Sequence, residues 1–210
     1  ASMFPAATQY YTQYHGRRCA LPLLADDYGL YYNKAMFKTA GIKSPPKTMS
    51  ELLADAKKLT VRDKSGNIKV AGFDPVVGFY ENTPERWIQH FGGKWLDAKG
   101  NSVIATDPAW AKWAKYQKTF VDWYGYDKLV KFQAGLGQEF SSSNAFEAGK
   151  LAMNFDGEWR LPVPQKAPPE PQSRPAPIPA DAPHTEPHRC AYVHGPPVVM
   201  TPEGQNPSTQ

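Results

Sequence analysis

The chain has 210 residues, with 24 Lys and Arg against 20 Asp and Glu, for a formal charge of +4 at pH 7. That length suits one sizeable domain or two small ones. The surplus lysines are scattered over predicted helix faces (Lys57, Lys58, Lys112, Lys115, Lys118), which reads as a solvated surface and argues against a nucleic-acid patch. No apolar run approaches the ~20 residues that a membrane-spanning helix requires. Cys19 and Cys190 are the only cysteines; they could bridge in an oxidising compartment, although two lone cysteines are more often unpaired.

Composition changes sharply after Arg160. Residues 161–210 hold 14 of the 21 prolines, whereas 26 of the 27 aromatic side chains lie before them. Proline fixes φ and removes a backbone donor, so the tail favours polyproline II or disorder, and the folded body is expected within residues 1–160.

In chain order, residues 5–15 read as the end of a helix, Gly16-Arg-Arg as a turn and Cys19–Leu24 as a short apolar strand. Leu30–Tyr32 reads as a second strand, buried on both faces. Asn33 can cap a helix over Lys34–Ala40 that stops at Gly41. Thr48-Met-Ser-Glu51 is a capping box, and Leu52, Leu53, Ala56 and Leu59 behind it recur at helical spacing, predicting a helix over 49–60. Lys64-Ser-Gly-Asn67 is a turn, followed by a strand or loop at Ile68–Phe73.

Thr83-Pro84 opens a helix running to Phe91, and Gly92-Gly93 ends it. The same grammar at Thr106-Asp107-Pro108 precedes the longest helix, about 108–124. Trp110, Trp113, Phe120 and Tyr124 form a stripe on that helix, which reads as core and not as a ligand surface. Asn144-Ala-Phe-Glu147 caps a short helix ending at Gly149. Leu151–Phe155 is an apolar strand, turned by Asp156-Gly157. Strands separated by helices predict an α/β lobe with a largely parallel sheet.

Three segments carry a family resemblance. They are Ala20-Leu-Pro-Leu-Leu-Ala-Asp-Asp-Tyr-Gly-Leu-Tyr-Tyr-Asn-Lys34, Pro45-Pro-Lys-Thr-Met-Ser-Glu-Leu-Leu53 and Phe146-Glu-Ala-Gly-Lys-Leu-Ala-Met-Asn-Phe-Asp-Gly-Glu-Trp159. Together, and in this order, they resemble the extracellular solute-binding proteins of family 1, carbohydrate type, which serve ATP-binding cassette importers. The resemblance implies a type II periplasmic-binding-protein lobe of α/β class. Residues 1–33 would be the end of an amino-terminal lobe with its crossover, 34–160 a carboxy-terminal lobe, and 161–210 a Pro-rich, poorly ordered return and hinge segment. Ala176-Pro-Ile-Pro179, Ala191-Tyr-Val-His-Gly195 and residues 201–207 resemble the family's return strand, hinge and following loop. The expectation is therefore an incomplete chain whose parent is exported, to the periplasm or as a cell-surface lipoprotein.

A sugar needs planar polar groups at its hydroxylated rim and aromatic rings against its faces. Such groups belong on loops past the carboxyl ends of strands. The resemblance points to three loops. Asp26-Asp27-Tyr28 offers Asp26 and Tyr28, although paired carboxylates also suit a solvent-exposed turn. Gly78-Phe-Tyr-Glu-Asn82 offers Tyr80, Glu81 and Asn82. Asp156-Gly-Glu-Trp159 offers Trp159 as the stacking ring, with Asp156 and Glu158 for hydroxyls. No cofactor is implied, and the expected partners are a carbohydrate and the membrane permease subunits, with no nucleic acid.

Two other readings compete. Asp26 or Asp27 with Glu158 can be drawn as a glycosidase pair, which needs carboxyls ~5–10 Å apart, but no sequence signature supports it. The chain also lacks a Gly-x-Ser-x-Gly elbow and a phosphate loop ending in Gly-Lys-Ser/Thr, so no catalysis is expected. The alternative is a non-catalytic interaction domain whose Pro-rich tail docks aromatic grooves. His184, His188, Cys190 and His194 are zinc-type ligands in that tail, read as adventitious since prolines punctuate them.

Overall fold

The computed structural model describes residues 12–22, 26–76, 78–160, 173–180, 193–194 and 197–198. Short strands β1 (Gln13–Tyr14) and β2 (Arg17–Arg18) form a hairpin around Gly16, whose φ is 73°. This corrects the helix expected through residue 15. Strand β3 (Leu21–Pro22) pairs with a late strand at Pro197–Val198. Cys19 is exposed and free, and Cys190 lies outside the described residues, as do His184 and His188.

The central strand is β4, Asp26–Asn33. Tyr28, Leu30 and Tyr31 on it are buried. It passes directly into α1 (Lys34–Thr39), where the Asn33 side chain accepts from the Met36 N–H at 3.0 Å, the cap anticipated from sequence. Helix α2 spans Met49–Leu59. Thr48 Oγ1 accepts from the Glu51 N–H at 3.1 Å, and the Glu51 carboxylate reaches back to the Lys47 N–H, one residue before the box position. Leu52, Ala56 and Leu59 are buried on the core side, as their spacing requires.

Strands β5 (Val61–Arg62) and β6 (Ile68–Val70) make a hairpin. The segment after β6 runs under α2 so closely that a β-carbon on Gly72 would collide with the Ala56 backbone. Helix α3 (Pro84–Trp87) continues as a 3₁₀ turn to Phe91 and stops at Gly92, with φ of 76°. Thr83 makes no side-chain cap there. Helix α4 (Pro108–Tyr124) is capped by Asp107, and α5 (Tyr126–Gln133), absent from the sequence reading, follows Gly125 at once. Residues 144–149 form turns and not the expected helix, though the Asn144 side chain still caps the Phe146 N–H at 2.9 Å.

Strand β7 spans Met153–Gly157, and β8 spans Ser173–Ala176. Strand β4 lies between them, antiparallel to both, with Leu30 opposite Phe155 on one side and Ala176 on the other. Among the described residues the sheet is antiparallel, and one parallel bridge, Ala71 to Leu151, is what they retain of the parallel expectation. Ser173–Ala176 comes from the Pro-rich stretch yet pairs as a strand. Its proline, Pro175, sits on the outer strand of the described sheet, where a missing donor is tolerated. Strand β9 (Val193–His194) pairs with Asp26 and Asp27, and β10 (Pro197–Val198) is the partner of β3.

The core is aromatic. Phe73, Trp87 and Phe155 meet at centroid distances of 4.7 to 5.8 Å, and Phe120 packs 5.9 Å from Phe73. Tyr124 closes that cluster from α4, donating its hydroxyl to the Phe73 carbonyl at 2.8 Å. Trp110 and Trp113 are half-buried against the same core, consistent with the packing role inferred for that stripe. Among the described residues, no helix is long and apolar enough to cross a membrane.

Candidate functional site

Strand β7 ends in a 3₁₀ turn, Glu158–Arg160. Gly157 is the last strand residue, and a β-carbon there would overlap the Trp159 ring. Its lack of a side chain lets the indole fold back across the strand. There it meets Tyr28, the cross-strand partner of Gly157, edge-to-face at a centroid distance of 5.3 Å. Trp159 keeps 37% of its surface exposed. Beside it stands Phe140, 72% exposed, with ring centroids 6.1 Å apart.

Below this aromatic platform lies a set of charges. Arg86 from α3 donates to the Tyr28 hydroxyl at 2.8 Å, and its guanidinium lies 4.1 Å from the centre of the same ring. It also forms an ion pair with Glu81. Burial pushes the Tyr28 phenol up to about 12, although Arg86 works against that shift. Arg160 is a second clamp. It holds the buried Asp156 carboxylate at 2.6 Å and Glu147 at 3.0 Å, donates to the Glu139 carbonyl, and sits 5.7 Å from the centre of the Phe140 ring. Strand β7 and loop 139–147 are thereby fastened together.

The Glu139 carboxyl is pushed up to about 8. Burial is the main cause, followed by its hydrogen bond to Glu81 and the charges of Glu81 and Asp156. The shift favours the protonated form of Glu139 relative to a free carboxyl. Asp156 is also raised, by burial, against the pull of Arg160.

The sequence-derived candidates fall into two layers. Trp159 and Glu158 are exposed, with Glu158 accepting from the Asp27 N–H at 2.8 Å. Asp26 is half-buried and stands two residues from Tyr28 on β4, hence on the same strand face. Tyr80 and Glu81 are half-buried. The Tyr80 hydroxyl donates to the Gly137 carbonyl at 2.8 Å and accepts from the Ala145 N–H at 2.9 Å, and its ring stacks on Phe79. Tyr28, Asn82 and Asp156 form the buried layer; the Asn82 amide donates to the Asp74 carbonyl at 2.6 Å. Two loop assignments are corrected: Asp26, Asp27 and Tyr28 lie within β4, and Asp156 and Gly157 lie within β7, so Asp156-Gly157 is no turn.

Sequence reasoning missed Phe140, Glu139, Arg86 and Arg160. Phe140 had a signal, being a lone large apolar residue in the polar stretch Gly137-Gln-Glu-Phe-Ser-Ser-Ser143. The other three gain their roles in part through partners distant in sequence: Tyr28 for Arg86, Glu139 for Arg160 and Glu81 for Glu139. Among the described residues, no cluster of three or more His, Cys, Asp or Glu is arranged to hold a metal ion.

The sequence profile of the family described as bacterial extracellular solute-binding protein matches residues 2–198, and the chain belongs to that family. Proteins of Brucella abortus (strain 2308) and Brucella suis biovar 1, named as binding proteins, are 28% identical over 144 residues. That match covers 66% of this chain and 32% of theirs. Among solved structures, CpMnBP1 with mannobiose bound superposes with a TM-score of 0.74 at 31% identity, covering 85% of this chain and 45% of that one. Maltose-bound MalE3 of T. maritima gives 0.62 at 23% identity, again over 85% and 45%. The chain thus spans about a third of the curated relatives and under half of these structures. The fold class is periplasmic-binding-protein-like α/β, as the sequence implied.

Proposed function

We propose that this chain provides one wall of a carbohydrate-binding cleft in the capture component of an ATP-binding cassette importer. The observation that carries the reading is the Trp159 indole, anchored on Tyr28 yet open to solvent, beside the exposed Phe140 ring. Two neighbouring aromatic rings suit the C–H faces of linked sugar units, and carboxylates at their margin suit the hydroxyl rim. Family membership and a 31%-identical structure holding mannobiose support the same reading.

In this account Trp159 and Phe140 stack on the ligand, while Glu158 and Asp26 take hydroxyls. Tyr80 and Glu81 line the margin. Tyr28, Asn82 and Asp156 act from beneath by fixing the positions of those groups. Capture is reversible and breaks no bond, so the protein is not an enzyme. The family's extracellular character supports a location outside the cytoplasm, where the loaded protein would meet membrane permease subunits. Residues 1–33, 34–160 and 161–210 remain our proposed divisions.

Calorimetry with mannobiose, mannotriose and maltose tests the proposal. Saturable heat with at least one of them is expected, and its absence across a broader mono- and oligosaccharide panel would overturn it.

A further inference from the structure

A concavity lies between the β5–β6 hairpin, α5 and the segment that follows α5. It encloses about 350 Å³, within the range of small-molecule pockets. None of its lining residues belongs to the aromatic platform or to the arginine clamps. Its walls carry four lysines, Lys69, Lys128, Lys131 and Lys150, and its apolar floor includes the buried Ile68 and Phe132.

The only acid in the lining is Asp63; its carboxylate is hydrogen-bonded within its own turn and also attracts Lys69, which leaves the hollow with a net positive charge. That carboxylate accepts from the Ser65 and Asn67 N–H groups at 2.9 Å each and from the Asn67 side-chain amide. Among the described residues, none of the four ammonium groups has a carboxylate ion-pair partner. One of them is held by a backbone carbonyl, and a second lies beside the Gly66 turn. Lys150 donates to the Gly135 carbonyl at 3.2 Å. Lys128 Nζ occupies space that a side chain on Gly66 would claim, 2.8 Å from where its β-carbon would stand; Gly66, at a φ of 76°, is the natural residue for that turn. Four like charges around one hollow repel each other, and a bound anion relieves that repulsion.

We propose that this pocket binds a small soluble phosphate ester carrying more than one negative charge, its phosphates between the lysines and its organic body on the Ile68–Phe132 floor. Lysine suits phosphate as a point-charge donor. The concave shape favours a compact ligand over a flat anionic membrane. The site is independent of the carbohydrate reading.

Pyrophosphate titrated calorimetrically into the full chain at low ionic strength is the test, with Lys128→Gln/Lys131→Gln as the pocket variant and Lys38→Gln/Lys43→Gln as the control. All four positions are exposed, so both variants should fold. The expected result is saturable one-to-one binding, weakened at least tenfold in the pocket variant and unchanged in the control. Equal weakening in both variants would mean an adventitious ion only and would overturn the proposal. So would absence of saturable binding, or binding to phosphatidylglycerol vesicles without binding to pyrophosphate.

Discussion

Trp159 lies where a side chain on Gly157 would otherwise stand, so the exposed indole owes its position to a missing β-carbon two residues earlier. Gly157→Ala should therefore displace the ring from Tyr28 while β7 keeps its pairing. Near-ultraviolet circular dichroism should lose part of its tryptophan signal, and the far-ultraviolet spectrum should stay the same. An unaltered near-ultraviolet spectrum would show that the ring does not need that space.

Arg160 is the main electrostatic tie between β7 and loop 139–147. Arg160→Leu leaves Asp156, 1% exposed, as a buried carboxylate without its charge partner, which should cost about 3 kcal/mol. Asp156→Asn in the same background should recover part of that loss by removing the stranded charge. Urea unfolding of both variants checks the pair, and additive losses would contradict a direct coupling.

Much of the local grammar was readable from the residues in order. Asn33, Thr48 and Asp107 each cap the helix that follows, since a cap depends only on the next three residues. The sheet direction was not readable, because strand pairing depends on chain path and not on neighbours. Asp156-Gly157 looked like a turn because Asp-Gly ordinarily makes one; here the glycine makes room for Trp159. Glu81 and Asn82 looked like ligand groups, yet their partners Arg86 and Asp74 were recognisable only once the chain was folded. Tyr126–Gln133 was missed because Gly125 read as a terminator, whereas at a φ of 83° it bends the chain straight into a new helix.

The Thr48 cap offers a calibrated stability test. Thr48→Ala removes the acceptor for the Glu51 N–H and should destabilise the protein by about 1 kcal/mol. Denaturant midpoint at constant slope is the readout, and a change below a few tenths would mean that the α2 terminus is held by packing alone.

Glu139 sets a pH dependence of defined sign. Its folded pKa, about 8, lies above its ordinary value of 4.5, so the folded state binds more protons between those values. Stability from this group is therefore greatest below pH 4.5 and declines as pH rises toward 8. Asp74, raised by burial to about 6, acts in the same direction up to that pH. Glu139→Gln should flatten the fall in melting temperature between pH 6 and 8, which a thermal series at several pH values will detect. An identical slope in the variant would remove Glu139 as its source.

Sugar binding in this lobe depends on one ring, and affinity measured with and without the Trp159 indole tests that dependence. With whichever oligosaccharide gives saturable heat, Trp159→Ala should weaken binding at least tenfold, about 1.4 kcal/mol, while the variant still unfolds cooperatively in urea and is fully folded under the binding conditions. Equal affinity in the two proteins would contradict the account, because the sugar would then rest somewhere other than on Trp159.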